Sequence, residues 1–376
     1  MCIRDRSATS EIGLKAGLTE EQKKLFSYFV PVRGMSEQIV EVLDNDRRAQ
    51  REGTSKTGNL LVIGRKGSGK TVLAVDIVKA IQKQRNLKQG KVAIVTGDGY
   101  GHLPVFLGYV GKGFCDGVAV GNVFTSPSCD AIVDAAKAVN GGAGVLFLFG
   151  NYMGDSMNFD MAAEMLGMED IPCAIVKAAD DIASAPREMF HDRRGVGGIF
   201  FPYKLAGAKA ERMASLDEVR AVAEDVCANV ATLGFSMSSC QLPGAPKPIF
   251  EISDTEMELG MGIHGEPGVE RTSMKTSKEL AQILFEKLSA DLSLASGDEV
   301  AILVNSLGAT SKEELYILYK DVHEQFQAAG IQIHRVYVGE YATSLEMLGA
   351  SVSVLKLNKE FKELLADEAH TPFVKL

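Results

Sequence analysis

The feature that most restricts this chain is a series of short apolar runs set between helical stretches. Lys91 to Thr96, Val145 to Phe149, Cys173 to Val176, Val300 to Val304 and Ile331 to Val338 each read as a buried strand. They are short for helices and rich in Val, Ile and Phe. The segments between them carry helical periodicity. Two open with a capping box, Ser215-x-x-Glu218 and Ser311-x-x-Glu314, in which the serine and the glutamate each accept one of the helix's unpaired N–H groups. The second helix is expected to run to about Ala329 and stop at Gly330. Alternating strands and helices predict an α/β architecture. Gln241 to Pro248, with three prolines, reads as a loop between structural units.

At 376 residues the chain is long enough for two or three domains. The six cysteines are scattered, with no CxxC pair. That argues against a disulfide framework and a structural zinc site, and for a reduced, cytoplasmic setting. No apolar run approaches the roughly 18 residues of a membrane span, and a signal peptide is not expected. Charge is unevenly spread. Residues 1–90 hold 17 Lys and Arg against 10 Asp and Glu, whereas residues 91–376 hold 23 against 39. The acidic body argues against a nucleic-acid partner, and the contrast fits either a basic arm for an acidic partner or two segments of separate origin.

Met1 to Arg6 has no structural logic and reads as a non-native start. Residues 18–52 read as helical. Leu60 to Ile63 is a strand candidate, and Gly64-Arg-Lys-Gly-Ser-Gly69-Lys70-Thr71 leads into a helical stretch with Val72, Val75, Val78 and Ile81. Strand, glycine loop and helix are the context of a phosphate-binding loop: backbone N–H groups cradle phosphate, Lys70 neutralises it and Thr71 can ligate magnesium. An active ATPase also needs a strand ending in a metal-holding aspartate. Val145 to Phe149 runs into Gly150-Asn151, and Ile302 to Val304 into Asn305-Ser306, so neither supplies one. Residues 18–97 resemble the truncated opening of an AAA-type ATPase, and Lys91 to Gly97 is where two genes could have been joined.

Gly97-Asp-Gly-Tyr-Gly101-His102 alone indicates a tight turn after a strand. His264, in Gly262-Ile-His-Gly265-Glu-Pro-Gly268, sits in an irregular loop, where a single histidine is more often structural than catalytic. His191, His323, His334 and His370 show no metal-ligand spacing, and no metal site is expected.

The combination is more specific. Gly99-Tyr-Gly-His102, Phe124-Thr-Ser-Pro127, Asn151-Tyr-Met-Gly-Asp155, Asp192-Arg-Arg-Gly-Val196, Met257-Glu-Leu-Gly260, the histidine loop, Asn305-Ser-Leu-Gly-Ala-Thr310 and Thr343-Ser-Leu-Glu-Met347 occur in this order. Over residues 91–376 the chain resembles the substrate-binding K subunit of dihydroxyacetone (glycerone) kinases. The resemblance implies two α/β domains, at 91–231 and 232–376, preceded here by the P-loop segment at 7–90. It implies that His264 attacks the carbonyl of a short ketose to form a hemiaminal. Asp155 takes the proton from the terminal hydroxyl, and His102, with Gly99, Tyr100 and Gly101, contacts the sugar. An imidazole is a fitting nucleophile near neutral pH. Holding the hydroxyl in place lowers the entropic barrier to phosphoryl transfer.

The resemblance further implies a homodimer. It implies a separate L subunit that carries Mg-ATP or Mg-ADP, and in some systems a phosphotransferase M subunit. No tightly bound cofactor is expected on this chain. The chain departs from the family in having Asp98 where glycine is common, Tyr100 for a small residue, Leu103 for the glutamate of GHEP and Gly150 for a substrate-contacting lysine. These changes surround the sugar and leave a four-carbon ketose such as erythrulose in competition with dihydroxyacetone. Two other readings remain open: a binding or regulatory protein for small carbonyl sugars without catalysis, and an ATPase acting through Lys70.

Overall fold

The computed structural model describes residues 88–376. The phosphate-loop candidates Gly64, Gly69, Lys70 and Thr71, and the helical reading of residues 18–52, lie outside the described residues.

Four strands form the first sheet: β1 (Ala93–Tyr100), β2 (Gly117–Val123), β3 (Val145–Gly150) and β4 (Cys173–Ala178). They are parallel and ordered β2-β1-β3-β4. A parallel sheet is covered on both faces, which is why its strands are continuous apolar runs. Val95, Phe147 and Phe149 pack with Ile132 and Val133 of α1 (Cys129–Val139) and Phe159 and Leu166 of α2 (Met153–Gly167). The alternate residues Ile94, Leu146 and Leu148 are equally buried and point to the other face. Helices α3 (Phe200–Glu211) and α4 (Leu216–Ala228) also lie against this sheet.

The second sheet holds β5 (Val230–Ser236), β6 (Glu256–Leu259), β7 (Glu270–Ser273), β8 (Glu299–Ser306), β9 (Gln332–Gly339) and β10 (Gly349–Lys356). Its order is β7-β6-β5-β10-β8-β9. All neighbours are antiparallel except β8 and β9. Its core is made by Leu233, Ile302, Val304, Val352 and Val354 against Leu280, Leu284 and Leu288 of α5 (Ser277–Asp291) and Leu315, Val322 and Phe326 of α6 (Lys312–Ala328). A last helix, α7, spans Lys359–Ala366.

Both expected capping boxes form, and Thr276 with Glu279 makes a third at the start of α5. Helix α6 ends at Ala328, and Gly330 takes φ +73°, the left-handed conformation that glycine allows. The five expected strands that fall among the described residues are present, and the sixth, Leu60 to Ile63, lies outside them. Strands β2, β5, β6, β7 and β10 had no reading from the sequence. In β10 the reason is specific: Ser351 and Ser353 alternate with apolar residues and read as a solvent face, yet both are buried. Thr232 donates to Ser353 Oγ at 2.7 Å and Asn305 Nδ2 to Ser351 Oγ at 3.2 Å, which satisfies this internal polar layer.

Helix α3 is buried on every side, as expected of a helix that lies between two layers. Phe200 touches Tyr109 and Phe114 on one side and Tyr337 and Tyr341 on the other. The Tyr203 hydroxyl meets that of Thr96 in β1 at 2.6 Å. These contacts fix the carboxyl end of β1 relative to the second sheet. Among the described residues no helix is long and apolar enough to cross a membrane.

Candidate active site

Strand β1 continues past Thr96 to Tyr100 because two of its last four residues, Gly97 and Gly99, carry no side chain and let β2 come close. A Cβ at Gly97 would lie 2.6 Å from the carbonyl oxygen of Ala119, and one at Gly99 would lie 2.4 Å from Asn122 O and Thr125 N. Backbone atoms at that distance cannot yield cheaply. Gly99 is therefore required by its neighbour strand, and its N–H donates to the Asp98 carboxylate. Gly101 takes φ +110° and turns the chain toward residues 341–347. There Leu345 N donates to Gly101 O at 2.7 Å and Thr343 N to His102 O at 3.2 Å.

His102 is held on both sides. Its ring stacks on Phe124 with centroids 4.7 Å apart, and Nδ1 lies 2.8 Å from Thr343 O. A carbonyl oxygen only accepts, so Nδ1 carries the proton and Nε2 presents a lone pair. Burial, together with the nearby His264 charge, lowers the His102 pKa to about 4, so the ring is neutral.

His264 lies in the loop between β6 and β7. Gly262 leaves room for Glu266 to fold back, since a Cβ there would meet Glu266 Oε2 at 2.1 Å. Gly265 supplies φ +81°. Glu266 then accepts from His264 N at 3.0 Å and from Nδ1 at 3.2 Å. On the other side of the ring, Nε2 stands 3.6 Å from Asp98 Oδ1. Burial alone would lower the His264 pKa; the hydrogen bonds and charges of Asp98 and Glu266 outweigh it and raise it to about 9. The rings of His102, Phe124 and Tyr152 stand edge-on around His264, with centroids 4.6, 5.3 and 4.6 Å away.

Asp155 lies in the first turn of α2 and is 1% exposed. Burial, and then the charge of Asp98, raises its pKa to about 7. Four buried polar atoms around this space have no partner: Asp98 Oδ2, His102 Nε2, Tyr152 Oη and Asp155 Oδ1. Buried polar groups are ordinarily paired, so four together mark a place for a ligand rich in hydroxyl groups.

The expected residues thus divide clearly. His102 and His264 meet with ring centroids 4.6 Å apart, Asp155 lies near enough to feel the charges of Asp98 and His264, and Gly99, Tyr100 and Gly101 form the strand end beside the two histidines. The roles of Asp98, Tyr152 and Glu266 were not legible in the sequence, although the Asp98 departure within the glycine loop was a signal. Gly150 is also informative. A Cβ there would lie 3.2 Å from the Tyr152 ring, so that ring closes over the position of the missing lysine. Arg193 pairs with Asp291 through both terminal guanidinium nitrogens, and Arg194 bonds Asp181 at 2.7 Å and lies 4.0 Å from Glu266, the partner of His264.

The Dak1 domain profile matches residues 37–373. The chain belongs to the Dak1 family. Its match begins well upstream of Lys91, and nothing in these comparisons supports a join of two genes at residues 91–97. The chain is 44% identical over 290 residues to the dihydroxyacetone-binding subunit DhaK of a PTS-dependent dihydroxyacetone kinase of Listeria innocua, covering 76% of this chain and 88% of that protein. It is 41% identical to a D-erythrulose kinase of Mycolicibacterium smegmatis, covering 80% of this chain and 52% of that protein. Among solved structures, the dihydroxyacetone kinase of C. freundii superimposes with a TM-score of 0.73 at 29% identity, over 91% of this chain and 59% of that one. Family membership carries the two-sheet α/β fold of dihydroxyacetone kinase substrate-binding subunits.

Proposed function

We propose that this chain is the ketose-binding subunit of a dihydroxyacetone-type kinase, holding its substrate as a hemiaminal on His264. The chain is a kinase subunit, a phosphotransferase component that works with partner subunits. The observation that carries the mechanism is His264 itself, clamped at Nδ1 by Glu266 with Nε2 3.6 Å from Asp98 Oδ1, in the space it shares with Asp98 and His102.

The step balances without any added reagent. His264 rests protonated on both nitrogens. The Nε2 proton leaves, the Nε2 lone pair adds to the ketone carbon, and the carbonyl oxygen gains one proton as its π bond breaks. The ring ends as a cation bonded to carbon, with its charge still facing Glu266. Addition to a carbonyl selects ketoses over polyols of the same size. His102 Nε2 and Asp98 Oδ2 are acceptors for the sugar's hydroxyls. Asp155 then accepts the proton of the terminal hydroxyl as that oxygen attacks phosphorus. A pKa near 7 suits a base working at neutral pH.

The phosphoryl donor would reside on a nucleotide-carrying L subunit as Mg-ATP or Mg-ADP, recharged in the latter case by an M subunit. The kinase subunit would act as a homodimer. Dihydroxyacetone and erythrulose both satisfy the chemistry of the site. The test is native mass spectrometry of the purified chain with each ketose, beside His264→Ala. An adduct in the wild type alone is expected. Equal adduct in both proteins would overturn His264 as the covalent residue. Adding the L subunit and nucleotide then separates a kinase, which makes sugar phosphate, from a carbonyl-binding protein, which does not.

A further inference from the structure

Asp98 at the end of β1, His102 in the glycine loop and His264 in the β6–β7 loop each direct one ligand-type atom into the same space, all within 4.8 Å of one another. The two histidines share a further property. Each donates Nδ1–H to a fixed oxygen, Thr343 O at 2.8 Å for His102 and Glu266 Oε1 at 3.2 Å for His264. An outer acceptor of this kind fixes the ring and leaves Nε2 for an ion, as it does around metal-ligating histidines generally. Asp98 supplies the carboxylate. It is 2% exposed, and its Oδ2, like His102 Nε2, is buried without a partner.

We propose that Asp98, His102 and His264 form a binding site for a divalent transition-metal ion, and that the ion competes with the ketose for Nε2 of His264. Two imidazoles and one carboxylate suit Zn²⁺, Co²⁺ or Ni²⁺ and not the all-oxygen preference of Mg²⁺ or Ca²⁺. Bonds of roughly 2.0–2.2 Å place tetrahedral ligands about 3.4 Å apart. His264 Nε2 and Asp98 Oδ1, at 3.6 Å, are already near that separation. The widest gap closes with a movement under about 1 Å in each of two side chains. The fourth position is left to water or a sugar hydroxyl.

An ion at this place displaces the Nε2 proton of His264 to solvent and takes up the lone pair that would attack the ketone, so ion and hemiaminal exclude each other. The competition rests on the ketose-capture reading; the ion site does not. Asp98 is decisive in either case, because a glycine there leaves two nitrogens and no anionic ligand.

The test uses the full chain, stripped with EDTA and titrated with Zn²⁺ by calorimetry and with Co²⁺ by visible spectroscopy, beside Asp98→Asn and Asp98→Gly. The wild type is expected to bind one ion per chain, and both variants to bind it more than ~10-fold more weakly while keeping the wild-type circular dichroism. Zn²⁺ is expected to remove the dihydroxyacetone adduct in native mass spectra, and EDTA to restore it. Equal affinity in all three proteins would overturn the site and assign the ion to thiols or other groups. An adduct unaffected by a bound ion would overturn the competition. Ion binding that depends on Asp98, with no adduct in the metal-free wild type, would uphold the ion site and overturn ketose capture instead.

Discussion

His102 and His264 have rings only 4.6 Å apart, yet they are driven to opposite protonation states. His102 has a carbonyl at Nδ1 and no carboxylate in hydrogen-bond contact, so burial dominates and its pKa falls to about 4. His264 stands between Glu266 and Asp98, whose hydrogen bonds and charges overcome its burial and raise its pKa to about 9. Residue type therefore does not set the protonation state; the balance between burial and the groups facing each nitrogen does. A neutral acceptor and a positively charged nucleophile precursor are thus built side by side from the same side chain.

The most severe way to break this pairing is His264→Ala, expected to abolish the adduct in native mass spectra while leaving the thermal melting curve close to wild type. Asp155→Asn is expected to leave the adduct but to lower kcat with the L subunit by about 10²–10⁴-fold, the usual share of a general base. An unchanged kcat would remove Asp155 from the proton transfer.

The pH dependence sharpens the comparison. Only unprotonated Nε2 attacks, and below a pKa of about 9 the neutral fraction of His264 grows with pH. The rate of adduct formation should rise roughly tenfold per pH unit toward pH ~9 and then level off. Glu266→Gln removes one of the two carboxylates and should move that profile to lower pH. A profile identical in wild type and variant would show that Glu266 does not set the His264 charge. His102 should remain neutral throughout this range, which a ring-proton NMR titration can read.

The smallest effects compare the glycines of the two loops. Gly99→Ala forces a Cβ to 2.4 Å from backbone atoms of Asn122 and Thr125, and should cost about 1–3 kcal/mol in urea unfolding. Gly265→Ala meets mainly the Ile249 side chain, at 2.8 Å, with φ +81°. It should cost about 1–2 kcal/mol, mostly from the left-handed backbone. The reverse order would mean that the glycine loop, and not the histidine loop, has room to adjust.

Much of the fold was legible because its signals are local. Five apolar runs became strands, two capping boxes became helix starts, and Gly330 stopped α6 beyond Ala328. The strands without a reading lack such a signal. Ser351 and Ser353 pass for surface residues until Thr232 and Asn305 are found opposite them. In the site, the family motifs supplied His264, Asp155 and His102, and the glycine loop showed that Asp98 was unusual. They could not show that Asp98 stands beside Nε2 of His264, nor that the Tyr152 ring covers Gly150.

The sequence by itself determined the α/β alternation, the helix ends and the family, because periodicity, caps and ordered motifs are written in neighbouring residues. The tertiary structure alone decided which side chains share one buried space and what charge each carries. Asp98 lies near the end of a strand of the first sheet and His102 in the loop that follows it, while His264 belongs to a loop of the second. Their meeting depends on how α3 and the segment 341–347 pack the two sheets together, and no spacing within the chain encodes that distance. Protonation follows from the same packing, since charge and burial act through space and not along the sequence.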